Sequence, residues 1–192
     1  MTRGKSFDVD VARREVSQLF RRRGYASTSM KDIEAATGLL PGSLYNAFGN
    51  KQDLFLSAMD YYLADVVDRR IAAHLSGDDP AAAVRSLFTS TYDVAMGEHR
   101  GCLLTNTAIE VGPSDEEIHR KVARGIRKFE AAFLRLIRRG QSAGRIPRGK
   151  DPRALAQHLT TSYQGILVLV KVIRTPRILD RYTESAIRML SA

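Results

Sequence analysis

Apolar side chains recur every three or four residues along almost the whole chain, the spacing that gathers them on one face of an α-helix. From Asp8, the positions Val11, Ala12, Val16, Leu19 and Phe20 keep that rhythm, and the pattern stops at Gly24. Asp8 and Asp10 stand near its start and Arg21, Arg22 and Arg23 near its end, the order the helix dipole favours. A second, short helix is expected after Thr28-Ser29, where Ser29 and Asp32 have capping-box spacing; it runs through Met30, Ile33 and Ala36 to Gly38. Pro41 opens a third, which passes through Ser43, Leu44, Tyr45, Ala47 and Phe48 to Gly49. A long helix is expected over about 51–74, closed by Ser76-Gly77-Asp78-Asp79-Pro80. Further helices are predicted over about 80–96, 101–111, 114–140, 151–174 and 176–190. Alternating β-branched runs between hairpin turns are missing, so the expected class is all-α.

Composition narrows the possible roles. A chain of 192 residues makes one ordinary domain, or a small module plus a larger one. Its apolar runs fall short of the ~20 residues a bilayer span needs. The best, over 166–172, is interrupted by Lys171, so no membrane partner is expected. Residues 1–10 lack an apolar signal core, which predicts a cytoplasmic protein. The lone Cys102 excludes an internal disulfide framework and a multi-cysteine zinc site. The four histidines are scattered, and no phosphate loop or nucleophile elbow is present. No catalytic residue, cofactor or metal is therefore expected. The net charge is +9, a surplus that favours polyanions, chiefly nucleic acid. It is densest at the front, where residues 1–51 carry nine basic and five acidic side chains.

Three short helices, the second and third separated by Gly38-Leu39-Leu40, make a helix-turn-helix whose second element fits the DNA major groove. Gly38 supplies the backbone freedom for the turn. Ile33, Ala36, Leu39, Leu44 and Phe48 would lock the two helices together, leaving Ser43, Tyr45 and Asn46 as polar groups facing outward. The recognition helix is poor in arginine, which keeps open the alternative of a helical interaction module without sequence-specific DNA binding.

The ordered set Gly24-Tyr25, Thr28 to Ile33, Ala36 to Leu39, Gly42 to Tyr45, Phe48 to Lys51 and Leu54-Phe55 resembles the amino-terminal domain of the TetR family of transcriptional regulators. The resemblance implies an all-helical homodimer that binds palindromic operator double-stranded DNA, usually as a repressor, and leaves it when a small-molecule effector enters the carboxy-terminal part. It places a DNA-binding domain at 1–52 and a helical ligand-binding and dimerisation domain at 53–192. Carried over position by position, Thr28 and Ser29 would meet phosphate at a helix start. Gly42 would allow close approach to the duplex, Tyr45 would bond a phosphate, and Lys51 would add a cation. Ser43 and Asn46 would read bases, with Pro41 on the exposed lip. Leu40 stands where many members have a serine or asparagine cap, a loss of order 1 kcal/mol that Pro41 partly offsets.

The stretch Arg100 to Glu110 also resembles a central helix that borders the ligand cavity in one subgroup of that family. Cys102, Asn106 and Glu110 recur at i, i+4 and i+8 and so share a helical face, which predicts a polar lining for a small ligand. Tyr92, Phe133, Tyr163 and Gln164 are further cavity candidates; aromatic residues at this spacing are also ordinary core. Cys102, beside His99 and Arg100 near a helix start, reads either as an oxidant- or electrophile-reactive thiol or as a small buried apolar group. The basic run from Arg120 to Arg139 reads as a solvated helix face. The last two long helices carry more apolar surface than a monomer needs, and Gly165 would permit close approach, so a two-fold four-helix bundle between subunits is expected there.

Overall fold

The first helix, α1 (Val9–Arg23), starts where the Asp8 carboxylate accepts the amides of Asp10 and Val11, and it ends at Gly24. The computed structural model describes residues 8–93, 101–111 and 115–191, and among them there is no β-strand. α2 (Met30–Thr37) opens with the expected capping box between Ser29 and Asp32. The Ser29 hydroxyl and amide, then Arg23, hold the Asp32 carboxyl down at about 2. Because the folded value is the lower one, this contribution is present above the ordinary carboxylate range and lost as pH falls through about 2. Gly38, at φ 68°, takes the left-handed turn before α3 (Pro41–Phe48). Leu40 gives α3 no side-chain cap, and proline stands at its first position. Ile33 and Leu44 are fully buried between these helices, with Ala36, Leu39 and Phe48 packed on the core at their edge.

α4 (Lys51–Tyr61) continues without a break into a π-helical stretch, Tyr62–Val67, and then α5 (Asp68–Leu75). This is the long helix expected from the pattern, and it carries the amino-terminal unit into the larger half. Phe55 of α4 meets Phe20 of α1 edge-on at 4.7 Å and Tyr25 at 4.8 Å. That aromatic knot joins α1 to α4.

α6 (Pro80–Thr89) stops well short of residue 96. The Ser90 and Thr91 hydroxyls donate back to the carbonyls of Leu87 and Phe88, the local competition that makes such residues poor helix continuers. α7 (Leu103–Glu110), α8 (Glu116–Ser142), α9 (Pro152–Leu169) and α10 (Pro176–Ser191) complete the larger half. α9 ends five residues before its expected limit, in turns over the β-branched run Val170, Val172 and Ile173. Around Tyr163 of α9 pack Phe129 at 5.0 Å, Phe88 at 5.3 Å and Phe133 at 6.4 Å.

α8 lies along the long helix, and its basic run does more than meet solvent. Lys121 pairs with Asp60, Lys128 with Asp68, and Arg139 donates to the carbonyls of Leu75 and Gly77. Gly125 makes the close approach possible, since a Cβ there would stand 2.3 Å from Leu104 and 2.8 Å from Leu63. At Gly165, by contrast, nothing lies within 4 Å. It faces outward with Val168, Val172, Ile178, Tyr182 and Met189, an apolar surface of α9, the turn beyond it and α10.

Candidate functional site

α3 presents one face to solvent. Pro41, Gly42, Tyr45 and Asn46 are exposed, Tyr45 to 52%, while Ser43 is half-buried. The buried Leu44 fixes this orientation, because it must point to Ile33 and the core. No heavy atom lies within 4 Å of a Cβ built on Gly42, so the lip of the helix is open to a duplex. Lys51, at the start of α4, holds its ammonium 4.4 Å above the Tyr25 ring, a cation–π seat that aims the charge. Tyr25 is itself packed on Phe20 and Phe55, and burial, then the nearby Asp115 charge, raises its phenol above the ordinary value.

The two residues expected at the α2 phosphate contact differ. Ser29 is exposed at the helix start, although its hydroxyl donates to Asp32 at 2.6 Å. Thr28 is 1% exposed and donates its hydroxyl to the Gly24 carbonyl at 2.7 Å. Its side chain therefore braces the turn between α1 and α2, because the buried hydroxyl needs that acceptor.

The interior candidates divide into three groups. Cys102 and Tyr163 come together with Tyr62 and Arg70 of the long helix. The Tyr62 hydroxyl donates to Cys102 Sγ at 3.5 Å, and burial, then the sulfur, pushes the Tyr62 phenol well above its usual range. Burial likewise raises Tyr163, with Arg70 and Cys102 as its charged or polar neighbours. Gln164 accepts from Thr105 at 2.6 Å, while its Nε2 and the Nε of Arg70 are buried with no partner among the described residues. Phe133 stays in the aromatic core around Tyr163.

Tyr92 belongs elsewhere. Its hydroxyl donates to Asp180 at 2.8 Å and lies 3.1 Å from the Thr183 hydroxyl, tying the end of α6 to α10. Burial lifts its phenol to about 12.

Asn106 and Glu110 correct the expectation of a cavity lining. Cys102 is the extended residue before α7 and turns to Tyr62, whereas Asn106 and Glu110 lie on a face of α7 that meets the end of α1. Asn106 Nδ2 donates to the Arg21 carbonyl at 3.1 Å, and the Glu110 carboxylate accepts the amides of Tyr25 at 2.8 Å and Ala26 at 2.6 Å. These backbone groups lie at and beyond a helix end, where no helical partner exists, and two polar side chains satisfy them. His99 and Arg100, invoked beside Cys102, lie outside the described residues. Tyr62, Arg70 and the π-helical stretch were not singled out by the sequence, since a tyrosine and an arginine on a long amphipathic helix carry no distinguishing signal.

A helix-turn-helix with its second helix open to solvent, built on an otherwise helical chain, defines a DNA-binding transcriptional regulator. The comparisons agree. The profile described as "Bacterial regulatory proteins, tetR family" matches residues 16–58, and "Tetracyclin repressor-like, C-terminal domain" matches residues 80–186. The chain belongs to the TetR family. It is 32% identical over 179 residues to the uncharacterized HTH-type transcriptional regulator YezE of Bacillus subtilis (strain 168), covering 90% of each chain. It is 28% identical over 168 residues to the HTH-type transcriptional repressor DhaR of Mycobacterium sp. (strain GP1), covering 86% of this chain and 83% of the relative. Among solved structures, a cysteine-substituted form of the TetR family regulator CifR, complexed with 26-base-pair operator DNA, superposes with a TM-score of 0.85. That match has 26% identity and covers 98% of this chain and 100% of the other.

Proposed function

We propose that the protein is a cytoplasmic, homodimeric repressor that binds a palindromic operator through α3 and leaves it when a small molecule enters the larger half or when Cys102 is modified. The single observation that carries this reading is the solvent-facing surface of α3, with Tyr45 and Asn46 outward. In this reading residues 1–52 bind DNA and residues 53–192 bind ligand and form the dimer. Tyr45, Lys51 and Ser29 hold phosphate; Ser43 and Asn46 meet base edges, while Pro41 and Gly42 let the helix come close. The outward apolar positions of α9 and α10 join two subunits so that two recognition helices reach successive half-sites.

The experiment is selection of genomic fragments on the protein, followed by gel shift on a retained fragment. Tyr45→Ala and Lys51→Ala are each expected to weaken binding roughly tenfold, the scale of a lost charge-assisted or phenolic contact. Lys51→Ala also lowers the slope of log affinity against log salt by about one. Unchanged affinity in both variants would discard these contacts.

The effector reading rests on the interior polar groups. Arg70, Tyr163 and Gln164 offer donors that suit a ligand rich in hydrogen-bond acceptors. The thiol reading is tested apart from it. Wild-type protein is expected to leave its operator on peroxide or electrophile treatment and Cys102→Ser to stay bound; a serine variant that still dissociates dismisses the thiol.

A further inference from the structure

α7 touches the interior and the DNA-binding unit at once. At its start, Cys102 receives the Tyr62 hydroxyl beside the π-helical stretch of the long helix. One turn later Asn106 bonds the Arg21 carbonyl at 3.1 Å and accepts from Lys171 Nζ at 2.8 Å. One turn further the Glu110 carboxylate holds the amides of Tyr25 and Ala26. The fit at Gly24 is tight: its φ is +84°, and a Cβ there would stand 2.5 Å from Glu110 Oε2. The held segment runs directly into the recognition unit. The Gly24 carbonyl takes the Thr28 hydroxyl, and the next residue, Ser29, caps α2, on which α3 is packed.

We propose that Glu110 is a positioning residue for operator binding, and that α7 carries the state of the Cys102–Tyr62 contact to the recognition helix. The inference rests on the regulator reading above and adds a route to it. Eight helical residues make a rod of about 12 Å that does not compress, so a displacement at the Cys102 end reaches Glu110 nearly undiminished. Two charge-assisted bonds to backbone amides then either hold the α1–α2 turn or let it go. A held turn presents α3 at a fixed angle; a released one must be ordered again each time DNA binds, which weakens binding. Coupling of this kind needs a free-energy difference between the two states, and the Glu110 bonds supply one.

The test uses the full chain and a genomic fragment retained by the wild type. Glu110→Ala and Glu110→Gln are compared with wild type before and after treatment with methyl methanethiosulfonate. That reagent places a methylthio group on Cys102 Sγ and releases methanesulfinate. Expected for wild type is slow amide exchange at Tyr25 and Ala26, tight binding, and at least a tenfold loss of affinity on thiol modification. Glu110→Ala should exchange those two amides faster, bind about tenfold more weakly, and lose less than a further twofold on modification, with a melting temperature close to wild type. Glu110→Gln, which keeps a neutral acceptor, should fall between, and it carries the test if the alanine variant does not fold. The proposal is overturned if the variants bind like wild type. It is equally overturned if modification changes their affinity by the same factor as wild type, no change in either included. A wild type that retains no genomic fragment defeats the regulator reading instead.

Discussion

Placing a carboxylate at both Val168 and Tyr182 is expected to leave a folded monomer that no longer shifts operator DNA where the parent binds fully. The two side chains are 39% and 48% exposed, so the subunit itself has room for Val168→Glu and Tyr182→Glu. Across a two-fold bundle each new charge would face apolar groups or its own copy, and burying unpaired carboxylates costs several kcal/mol. DNA binding should fail with the dimer. Two linked recognition helices bind the second half-site from a high effective concentration, and separation removes that gain of 100-fold or more. Light scattering on the eluting protein, circular dichroism and gel shift together check the result. A double variant that stays dimeric, or a wild type that is monomeric at micromolar concentration, removes this face from the interface.

The second large effect is expected at Phe55. It is fully buried between Phe20 and Tyr25, and Tyr25 in turn carries the Lys51 ammonium. Phe55→Ala removes a buried aromatic ring from a site with aromatic walls that relax only partly, a change that costs about 3–5 kcal/mol. For a chain of this length that lowers the melting temperature by roughly 6–20 °C. Because the ring joins α1 to α4, the loss falls on the DNA-binding unit before the larger half. Hydrogen exchange should therefore quicken first over residues 8–56, and operator affinity should drop even at temperatures where the helical content is intact. Uniform exchange across both halves would show instead that the chain melts as one unit.

Much of the recognition unit was legible from residue order. The Ser29–Asp32 capping box, the glycine turn at Gly38, the proline start of α3 and the inward set Ile33 and Leu44 follow from local chemistry, and local chemistry is what short-range patterns encode. Thr28 shows the limit: its residue type suits a phosphate contact, yet the turn it sits in gives its hydroxyl a carbonyl to bond. Asn106 and Glu110 show a second limit. Their common face followed from the i, i+4 rule, but what that face meets lies 85 residues away in the chain, at Arg21 and Tyr25. Tyr62 and Arg70 gave no signal at all, because only the tertiary packing of the long helix, which lies along α8, brings them to Cys102 and Tyr163.

Periodicity, caps and breakers by themselves determined an all-helical chain with a helix-turn-helix at its front, since these depend on neighbours within a turn or two. The tertiary structure alone decided which polar side chains join the two halves and which of them turn toward the interior. Those outcomes depend on contacts between residues far apart in sequence, whose energies are set by what each side chain finds across the core.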